Sequence, residues 1–331
     1  LMTGRGGWPN SVWLTPDGLP WMAGTYFPKQ RFIGVLEQIN VFWTTRRDDV
    51  DRQAQTLKEA AQQAGDPEMG SATELTDQII EQAALKFIGQ FDSQNGGFGG
   101  APKFPPHGTL ELLIDRYRVT KDPQLVDPIT KTLDAMWHGG FHDHIGGGFH
   151  RYATDAQWLL PHFEKMLYDN AQLMRVYAGG YEITRQDRYR KAVADIYRWI
   201  QREMTSPQGA FYSALDSGEV GKEGEAYIWS TERLEKVLGQ DDATLYAKVY
   251  SFKPQGNFHE ESSGQLTGKN IPHLTRPLSE IAAEENTSKA DLVVRLDDAQ
   301  SKLLADRLTW PQPHKDDKVL VSWNALMIDA L

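Results

Sequence analysis

Three short loops that join glycine to an aromatic residue recur along the chain, and each separates two stretches of helical sequence. The loops are Gly96-Gly97-Phe98, Gly147-Gly148-Phe149 and Gly209-Ala210-Phe211, at spacings of 51 and 62 residues. A repeat of this length is typical of helical hairpins that stack in an array or close into a ring. In a ring, the loops of successive hairpins gather at one mouth. The sequence therefore predicts a mainly α fold with a pocket at that mouth.

Apolar residues at helical spacing dominate the chain after its first 28 residues. Helices are predicted over 32–43, 46–64, 75–87, 110–120, 123–138, 162–184, 187–204, 231–238, 243–249, 278–284, 290–307 and 319–331. Two apolar runs, 11–15 and 19–26, flank the turn signal Pro16-Asp17-Gly18 and predict a β-hairpin. Short strands are expected at 210–213 and 225–229. The first residue is not Met and the last helix has no cap, which we interpret as truncation at both ends.

The composition excludes several classes of function. A net charge of −10 leaves no basic stripe to neutralise phosphates, so nucleic acid is not an expected partner. The chain has no cysteine, which rules out disulfides, thiolate metal sites and thiol nucleophiles. No apolar run approaches ~18 residues, so no membrane span is expected. No signal peptide is visible, and we expect a cytoplasmic location.

Residues 139–170 hold the densest group of titratable and aromatic side chains, with four of the nine histidines. His162 and Glu164 lie at the start of a predicted helix and are candidate catalytic residues, acting as base and acid on a sugar. On that helix Glu164 and Tyr168 are four residues apart and share a face, with Asp169 one residue further round. The alternative is a helix N-terminal carboxylate with a capping histidine.

The triplet His142-Asp143-His144 admits two interpretations. In a strand the two histidines would face one side and suit a metal ion, but a glycine-rich loop does not impose that geometry. No third ligand has a recognisable spacing, so we expect no metal and no other cofactor. Asp143 is instead a candidate catalytic carboxylate, and His144 is expected to line the pocket.

A strip of residues after this triplet has the chemistry with which proteins hold polyols. Aromatic plates cover the apolar face of a sugar, and charged groups bind its hydroxyls. The alternative is that these side chains pack within the loop. The substrate-binding candidates of the strip and of the helix that follows are His150, Arg151, Tyr152, Asp155, Trp158, Tyr168 and Asp169.

Two further groups are candidates for the pocket. Asp216 and Glu225 lie on either side of a loop, and a carboxylate pair across a cleft is the machinery of glycoside hydrolysis. As charged loop residues they are also expected to be solvated. The residues expected to close the pocket by binding substrate, with a solvated charge run as the alternative for the later ones, are Lys103, Phe104, Asp316, Lys318, Trp323 and Asn324.

Six blocks of this sequence resemble the spermatogenesis-associated, thioredoxin-like domain proteins. The blocks are TGRGGWPNSVWLTPDG, AGTYFP, GGFGGAPKFP, HDHIGGGFHRYATDAQWLLPHFEKMLYDNAQL, EGEAYIWS and HKDDKVLVSWNALMIDAL. The resemblance implies a thioredoxin-like domain followed by an (α/α)6 toroid similar to those of N-acylglucosamine 2-epimerases and six-hairpin glycosidases. Residues 1–64 would be the remnant of the first domain, and 71–331 a barrel that is incomplete at its C-terminal end. The family's Cys-x-x-Cys motif lies in the half that is missing here.

These observations leave two main hypotheses for function. The first is a carbohydrate-active enzyme whose small-molecule or oligosaccharide substrate is either epimerised or isomerised by proton transfer, or hydrolysed by a carboxylate pair. The second is a non-catalytic barrel that binds a ligand or partner and is associated with a redox module. A purely structural remnant is a third alternative. The sequence does not indicate an oligomeric state.

Overall fold

A computed structural model describes residues 9–65, 76–219, 222–259 and 265–331. The chain divides into two compact units, Leu1–Thr76 and Asp77–Leu331. In the described ranges, no helix is both long and apolar enough to cross a membrane.

The first unit is a hairpin with two helices. Strands β1 (Ser11–Leu14) and β2 (Pro20–Gly24) pair antiparallel, with Val12 opposite Ala23, which confirms the predicted hairpin. Helices α1 (Lys29–Thr45) and α2 (Arg47–Gly65) follow. Trp21 of β2 is buried against Val50 and Ala54 of α2, because a two-stranded hairpin needs a second layer to cover its apolar face.

Helices make up most of the regular secondary structure of the second unit, so the predicted mainly α class is confirmed. A 3₁₀ turn at Pro123–Leu125 leads into the helix Val126–His138, and a π-helical turn at Ile200–Met204 follows the helix Asp187–Trp199. The helices are α3 (Asp77–Ile88), α4 (His107–Thr120), α5 (Val126–His138), α6 (Leu167–Thr184), α7 (Asp187–Trp199), α8 (Thr231–Leu238), α9 (Gln240–Val249), α10 (Leu278–Glu284), α11 (Lys289–Arg307) and α12 (Val321–Ala330).

Three helices, α4, α6 and α12, run parallel and side by side. At their N-terminal ends His107 of α4 contacts Asp169 of α6, and the ring of Tyr168 of α6 packs on Trp323 of α12. At the opposite ends of α4 and α6, Arg118 pairs with Glu182. The N-termini of all three helices therefore lie at the same end of this row, which we call the mouth.

Helices α5 and α7 return outside this row after short connections. The hydroxyl of Tyr177 on α6 donates to the Leu133 carbonyl on α5 at 2.9 Å, and Arg188 of α7 pairs with Asp134 of α5. Helices α8 to α11 form a second apolar cluster, with Trp229 and Tyr246 at its centre, within the connection from α7 to α12. This inserted cluster follows the third glycine loop, so the spacings between the loops do not reveal it.

Short strands surround the mouth. β3 (Tyr152–Ala153) pairs with β4 (Pro161–His162), and β5 (Lys165–Met166) pairs with β6 (Ala214–Leu215), which pairs with β7 (Lys315–Asp316). The predicted strand at 210–213 is thus displaced to 214–215. Only an isolated bridge between Trp229 and Asn270 forms near 225–229.

The predicted helix over 162–184 begins five residues late, at Leu167. From 161 to 167 burial alternates with a period of two, with Phe163 and Lys165 buried and His162 and Glu164 half-buried between them. This is the period of a strand and not of a helix. As a result, His162 and Glu164 project from the same face of extended backbone.

The glycine–aromatic loops share one turn, closed by the bridges Phe91–Phe98, His142–Phe149 and Thr205–Phe211. In the second and third loops, the aromatic residue is held by an asparagine in the first turn of the next helix of the parallel row, α6 or α12. Asn170 accepts from the Phe149 amide at 2.7 Å and donates to its carbonyl at 3.0 Å. Asn324 does the same for Phe211, at 2.8 and 2.9 Å. Asn324, a predicted substrate-binding residue, therefore lies in a structural clamp.

Asp143, a predicted catalytic residue, is the centre of a buried ion cluster. Its carboxylate lies 2.6 Å from Lys165 Nζ and accepts two bonds of 2.9 Å from Arg307. It also accepts from the amides of Ile145 and Gly146. Both cations hold the pKa of Asp143 well below its usual range despite burial, which acts in the opposite direction. We assign Asp143 a structural role because both oxygens are occupied.

The first glycine loop repeats this arrangement. Lys103, a predicted substrate-binding residue, is buried and lies 2.6 Å from Asp92 and 2.5 Å from the Gly96 carbonyl oxygen. Lys165 makes the equivalent bond to Gly147 at 2.7 Å. The two lysines therefore fasten corresponding turns to the edge of the mouth.

Replacement of Asn170 by Ala is expected to destabilise the fold by about 2–4 kcal/mol, since it leaves buried backbone groups of Phe149 and Met166 unpaired. Asn324→Ala is the matched variant. It is expected to cost less, because Asn324 is half-buried whereas Asn170 is fully buried. Urea denaturation measures both. Equal losses, or a larger loss for Asn324→Ala, would contradict the assignment.

Replacement of Asp143 by Asn is expected to cost about 3–5 kcal/mol, because Lys165 and Arg307 then remain buried without the carboxylate that both of them contact. The exposed Asp216→Asn is the control and should change the free energy of unfolding little. Because the folded pKa of Asp143 is depressed, its contribution is present above the unfolded pKa and disappears as pH falls. Denaturation of Asp143→Asn should therefore lack that part of the wild-type acid sensitivity.

Candidate active site

The mouth is lined by two histidine–carboxylate pairs. In the first, His107 Nε2 at the start of α4 lies 3.1 Å from Asp169 Oδ1 in the first turn of α6. In the second, His162 Nε2 of β4 lies 3.3 Å from Glu164 Oε2. The extended backbone at 162–164 produces the second pair by placing both side chains on one face. Both imidazoles keep some solvent contact, at 16% and 24% exposure.

Arg151 joins the second pair from the residue before β3. Its Nη1 donates to Glu164 Oε2 at 2.8 Å, and its amide donates to the Glu164 carbonyl. Hydrogen bonds from His162 first, and then from Arg151, lower the pKa of Glu164 to about 2 against the effect of burial. Glu164 is thus ionised across the neutral range and holds the His162 ring in place.

Tyr168 and Asp169 connect the two pairs electrostatically. Burial first, and then the charge of Asp169, raises the pKa of Tyr168, while Arg151 lowers it. Burial raises the pKa of Asp169, and His107 is the main group that opposes this shift. Among the described residues, Asp169 Oδ2 and Arg151 Nε are buried atoms without a hydrogen-bond partner. The mouth therefore holds an unused acceptor and an unused donor.

Aromatic rings form a shelf beside these charges. Tyr152 stacks between Phe104 at 4.7 Å and His162 at 4.9 Å, and the outer ring, Phe104, is 56% exposed. Trp323 packs edge-on against Tyr168 at 4.7 Å. Eight predicted site residues are therefore brought together at the mouth: Phe104, Arg151, Tyr152, His162, Glu164, Tyr168, Asp169 and Trp323.

Four other predicted residues are committed to the loop itself. Trp158 is fully buried, and its Nε1 points to the Gly96 carbonyl oxygen. Asp155 accepts the amides of Gln157, Leu159 and Leu160 and so closes its own turn. The remaining two, both buried histidines whose rings contact backbone carbonyls, are His144 and His150.

The last predicted residues lie at the surface. Asp216 and Glu225 are exposed, and Asp216 Oδ1 accepts from the Ser217 amide. Asp316 pairs with Lys318 at 3.0 Å beside β7. The structure gives no contact between these side chains and the histidine–carboxylate pairs.

His107 is the member of the mouth that sequence reasoning did not identify. The predicted helix began at 110, which left His107 in a loop, whereas α4 begins at His107 directly after Pro105 and Pro106. Proline is favoured around the first turn of a helix, so this pair was a usable signal. Across the described ranges, no group of three or more His, Asp or Glu side chains has the geometry to hold a metal ion.

Comparison with known proteins gives one family match and several long relatives. The sequence model named Thioredox_DsbH, described as a protein of unknown function, DUF255, matches residues 1–62. An uncharacterized protein of Caenorhabditis elegans, B0495.5, is 33% identical across 99% of this chain and 48% of its own length. Human spermatogenesis-associated protein 20 is 32% identical across 98% of this chain and 45% of its own. The chain thus spans about half the length of these relatives.

Solved structures show more distant likenesses. A sugar epimerase from a ruminal bacterium is 12% identical, with a TM-score of 0.37 over 74% of this chain and 76% of that one. Cellobiose 2-epimerase from Bacillus thermoamylovorans is 14% identical, with a TM-score of 0.37 over 43% and 42%. Likenesses at this distance do not bear on the chemistry of the site. The relatives that match nearly all of this chain and the family match at the N-terminus together show that the chain belongs to the family of spermatogenesis-associated, thioredoxin-like domain proteins.

Proposed function

We propose that the mouth binds a neutral sugar and that its histidines transfer protons on it, as in a sugar epimerase or isomerase. The observation that supports this proposal is the pair of histidine–carboxylate contacts, His107–Asp169 and His162–Glu164, at a single mouth. A carboxylate orients an imidazole, so each pair holds in place a side chain that can accept or donate a proton. Two such groups match a reaction in which one removes a proton beside a carbonyl and the other returns it, to the opposite face of the same carbon in an epimerase or to the neighbouring carbon in an isomerase.

The polar groups of the mouth suit a hydroxylated ligand. Asp169 Oδ2 needs a donor and Arg151 Nε needs an acceptor. A hydroxyl group is both, so adjacent hydroxyls of one sugar satisfy the two atoms after small side-chain movements. The shelf that ends in the exposed Phe104 offers the flat apolar contact that a sugar ring requires. Arg151 is already paired with Glu164, which favours a neutral ligand over an anionic one.

Glycoside hydrolysis is a second candidate, favoured by one specific observation. Glu164 and Asp169 have environments that move their pKa values apart, lowered to about 2 for Glu164 and raised for Asp169. Such divergence is typical of an acid and a base or nucleophile acting together. In this alternative Asp169 donates the proton, and Glu164 serves as the ionised partner.

A screen of mono- and oligosaccharides with the purified protein, followed by NMR, tests the proposal. Epimerisation predicts new signals of the epimer, and isomerisation predicts those of the corresponding keto or aldo sugar; either should fall by about 10²–10⁴-fold in His162→Gln and in His107→Gln. Hydrolysis predicts released sugars and a larger loss in Asp169→Asn than in either histidine variant. The control is His314→Gln, a change at an exposed histidine, which should leave turnover unchanged.

The outcomes of this screen distinguish an enzyme from a barrel that only binds a ligand. Saturable binding of a sugar with no turnover, in protein shown to be folded by circular dichroism, would contradict catalysis and support a non-catalytic barrel. Turnover that survives all three mouth variants would place the reaction elsewhere in the molecule.

A further inference from the structure

A surface cleft of about 250 Å³ lies between α7 and α11 and is lined by none of the mouth residues. Its lining includes Gly146 and Gly147 of the second glycine turn and the acid Asp195. The side chain of Asp195 is only 3% exposed. One of its oxygens pairs with Arg198, and the other lies 3.7 Å from Nε2 of the buried His142. Neither Asp195 nor His142 belongs to the mouth.

The hydrogen bonds of His144 determine which nitrogen of His142 carries a proton. His144 Nε2 lies 3.1 Å from the Gly139 carbonyl oxygen, which can only accept, so this nitrogen is a donor. Burial lowers the pKa of His144 to about 3, so its ring is neutral and its Nδ1 accepts. His142 Nδ1, 3.3 Å away, must then be the donor. Burial also keeps His142 neutral, by lowering its pKa, which leaves a lone pair on Nε2.

This lone pair faces a carboxylate oxygen. His142 Nε2 is a buried atom with no hydrogen-bond partner in the part of the chain that the structure describes. With Asp195 ionised, two buried acceptors face each other with no hydrogen between them, which is unfavourable. With one proton between them, the atoms form an O–H···N hydrogen bond after a movement of about 1 Å. The contact therefore requires a proton to be favourable.

We propose that Asp195 and His142 form a proton-linked switch. The two side chains share one proton at acidic pH and lose it as the pH rises towards neutral, and this loss loosens the packing of α7 on the glycine turn. Burial is the largest cause that raises the pKa of Asp195 to about 6. The cleft beside Asp195 supplies the path by which the proton exchanges with solvent.

Other charged and titratable groups face Asp195 from each neighbouring element. Lys191 and Arg198 on α7 favour its ionised form, and Asp297 on α11 opposes it. Arg202 of the π-helical turn lines the same cleft but is bound to the Gly146 carbonyl and Glu203. Tyr250, at the end of α9, stays protonated because burial raises its pKa. None of these groups replaces the missing proton at His142 Nε2.

The switch reaches the mouth through the backbone of the turn. A Cβ atom on Gly147 would lie 2.5 Å from the Asp195 carbonyl oxygen, which shows how closely α7 packs on the turn. Lys165 donates to the Gly147 carbonyl, and Lys165 follows Glu164 directly. A displacement of the turn would therefore be transmitted to the extended segment that carries the second histidine–carboxylate pair.

Stability as a function of pH tests the switch. A carboxyl group with a raised folded pKa contributes stability that is complete below its unfolded value of 3.8 and lost as pH rises through about 6. Asp195→Asn can donate from its amide to His142 at every pH. Relative to wild type, its folding equilibrium constant should rise about ten-fold between pH 5 and pH 8 in urea denaturation. Asp187→Asn, at an exposed position of the same helix, should show no such rise.

The protonation of His142 gives a second and independent test in the wild-type protein. Imidazole ¹⁵N NMR at pH 7 should show His142 with its proton on Nδ1, in the signal that disappears in His142→Gln. A proton on Nε2 of His142 would overturn the proposal, whether or not Asp195→Asn folds. A stability difference between Asp195→Asn and wild type that does not change with pH would also overturn it.

Discussion

The carboxylate of Asp143 is the interaction on which the rest of this structure depends. It binds two buried cations, Lys165 and Arg307, the second of which is 164 residues further along the chain. Through Arg307 it ties α11 of the inserted cluster to the glycine turn, and through Lys165 it fixes the strand before α6. Breaking such a cluster at one member leaves uncompensated charge in the interior, so its members constrain one another. The mouth is built on the segment that this cluster holds.

The mouth itself is a consequence of parallel helix packing. Because α4, α6 and α12 begin side by side, the residues of their first turns, His107, Asp169 and Trp323, converge although they lie far apart in sequence. Strand β4 adds His162, and the extended residues after it add Glu164. Half-buried histidines beside carboxylates, an unused donor and acceptor, and an exposed ring are the features on which the proposed sugar chemistry rests.

Sequence reasoning predicted the hairpin, most helices and the recurring glycine turns, because these features follow from local patterns. It extended α6 over His162 and Glu164 because Phe163 and Leu167 also fit the spacing of a helical stripe. Only the burial of the side chains in the structure shows that they alternate with the period of two that is typical of a strand. Asp143, Lys103 and Trp158 were assigned to the pocket because charged and aromatic side chains in a loop suggest chemistry. Their partners, Arg307, Asp92 and Gly96, are distant or non-obvious in sequence, so their burial was not predictable. His107 escaped notice because its partner, Asp169, lies on another helix.

The most direct measurement of the central claim is an NMR titration of the histidine side chains with neutral mono- and disaccharides. If the mouth is a sugar site, the signals of His107 and His162 should shift together and saturate, while that of the exposed His314 stays fixed. Asp169→Asn should weaken this response, since it removes the carboxylate that faces His107. Signals of His107 and His162 that remain unchanged with every sugar would contradict the account.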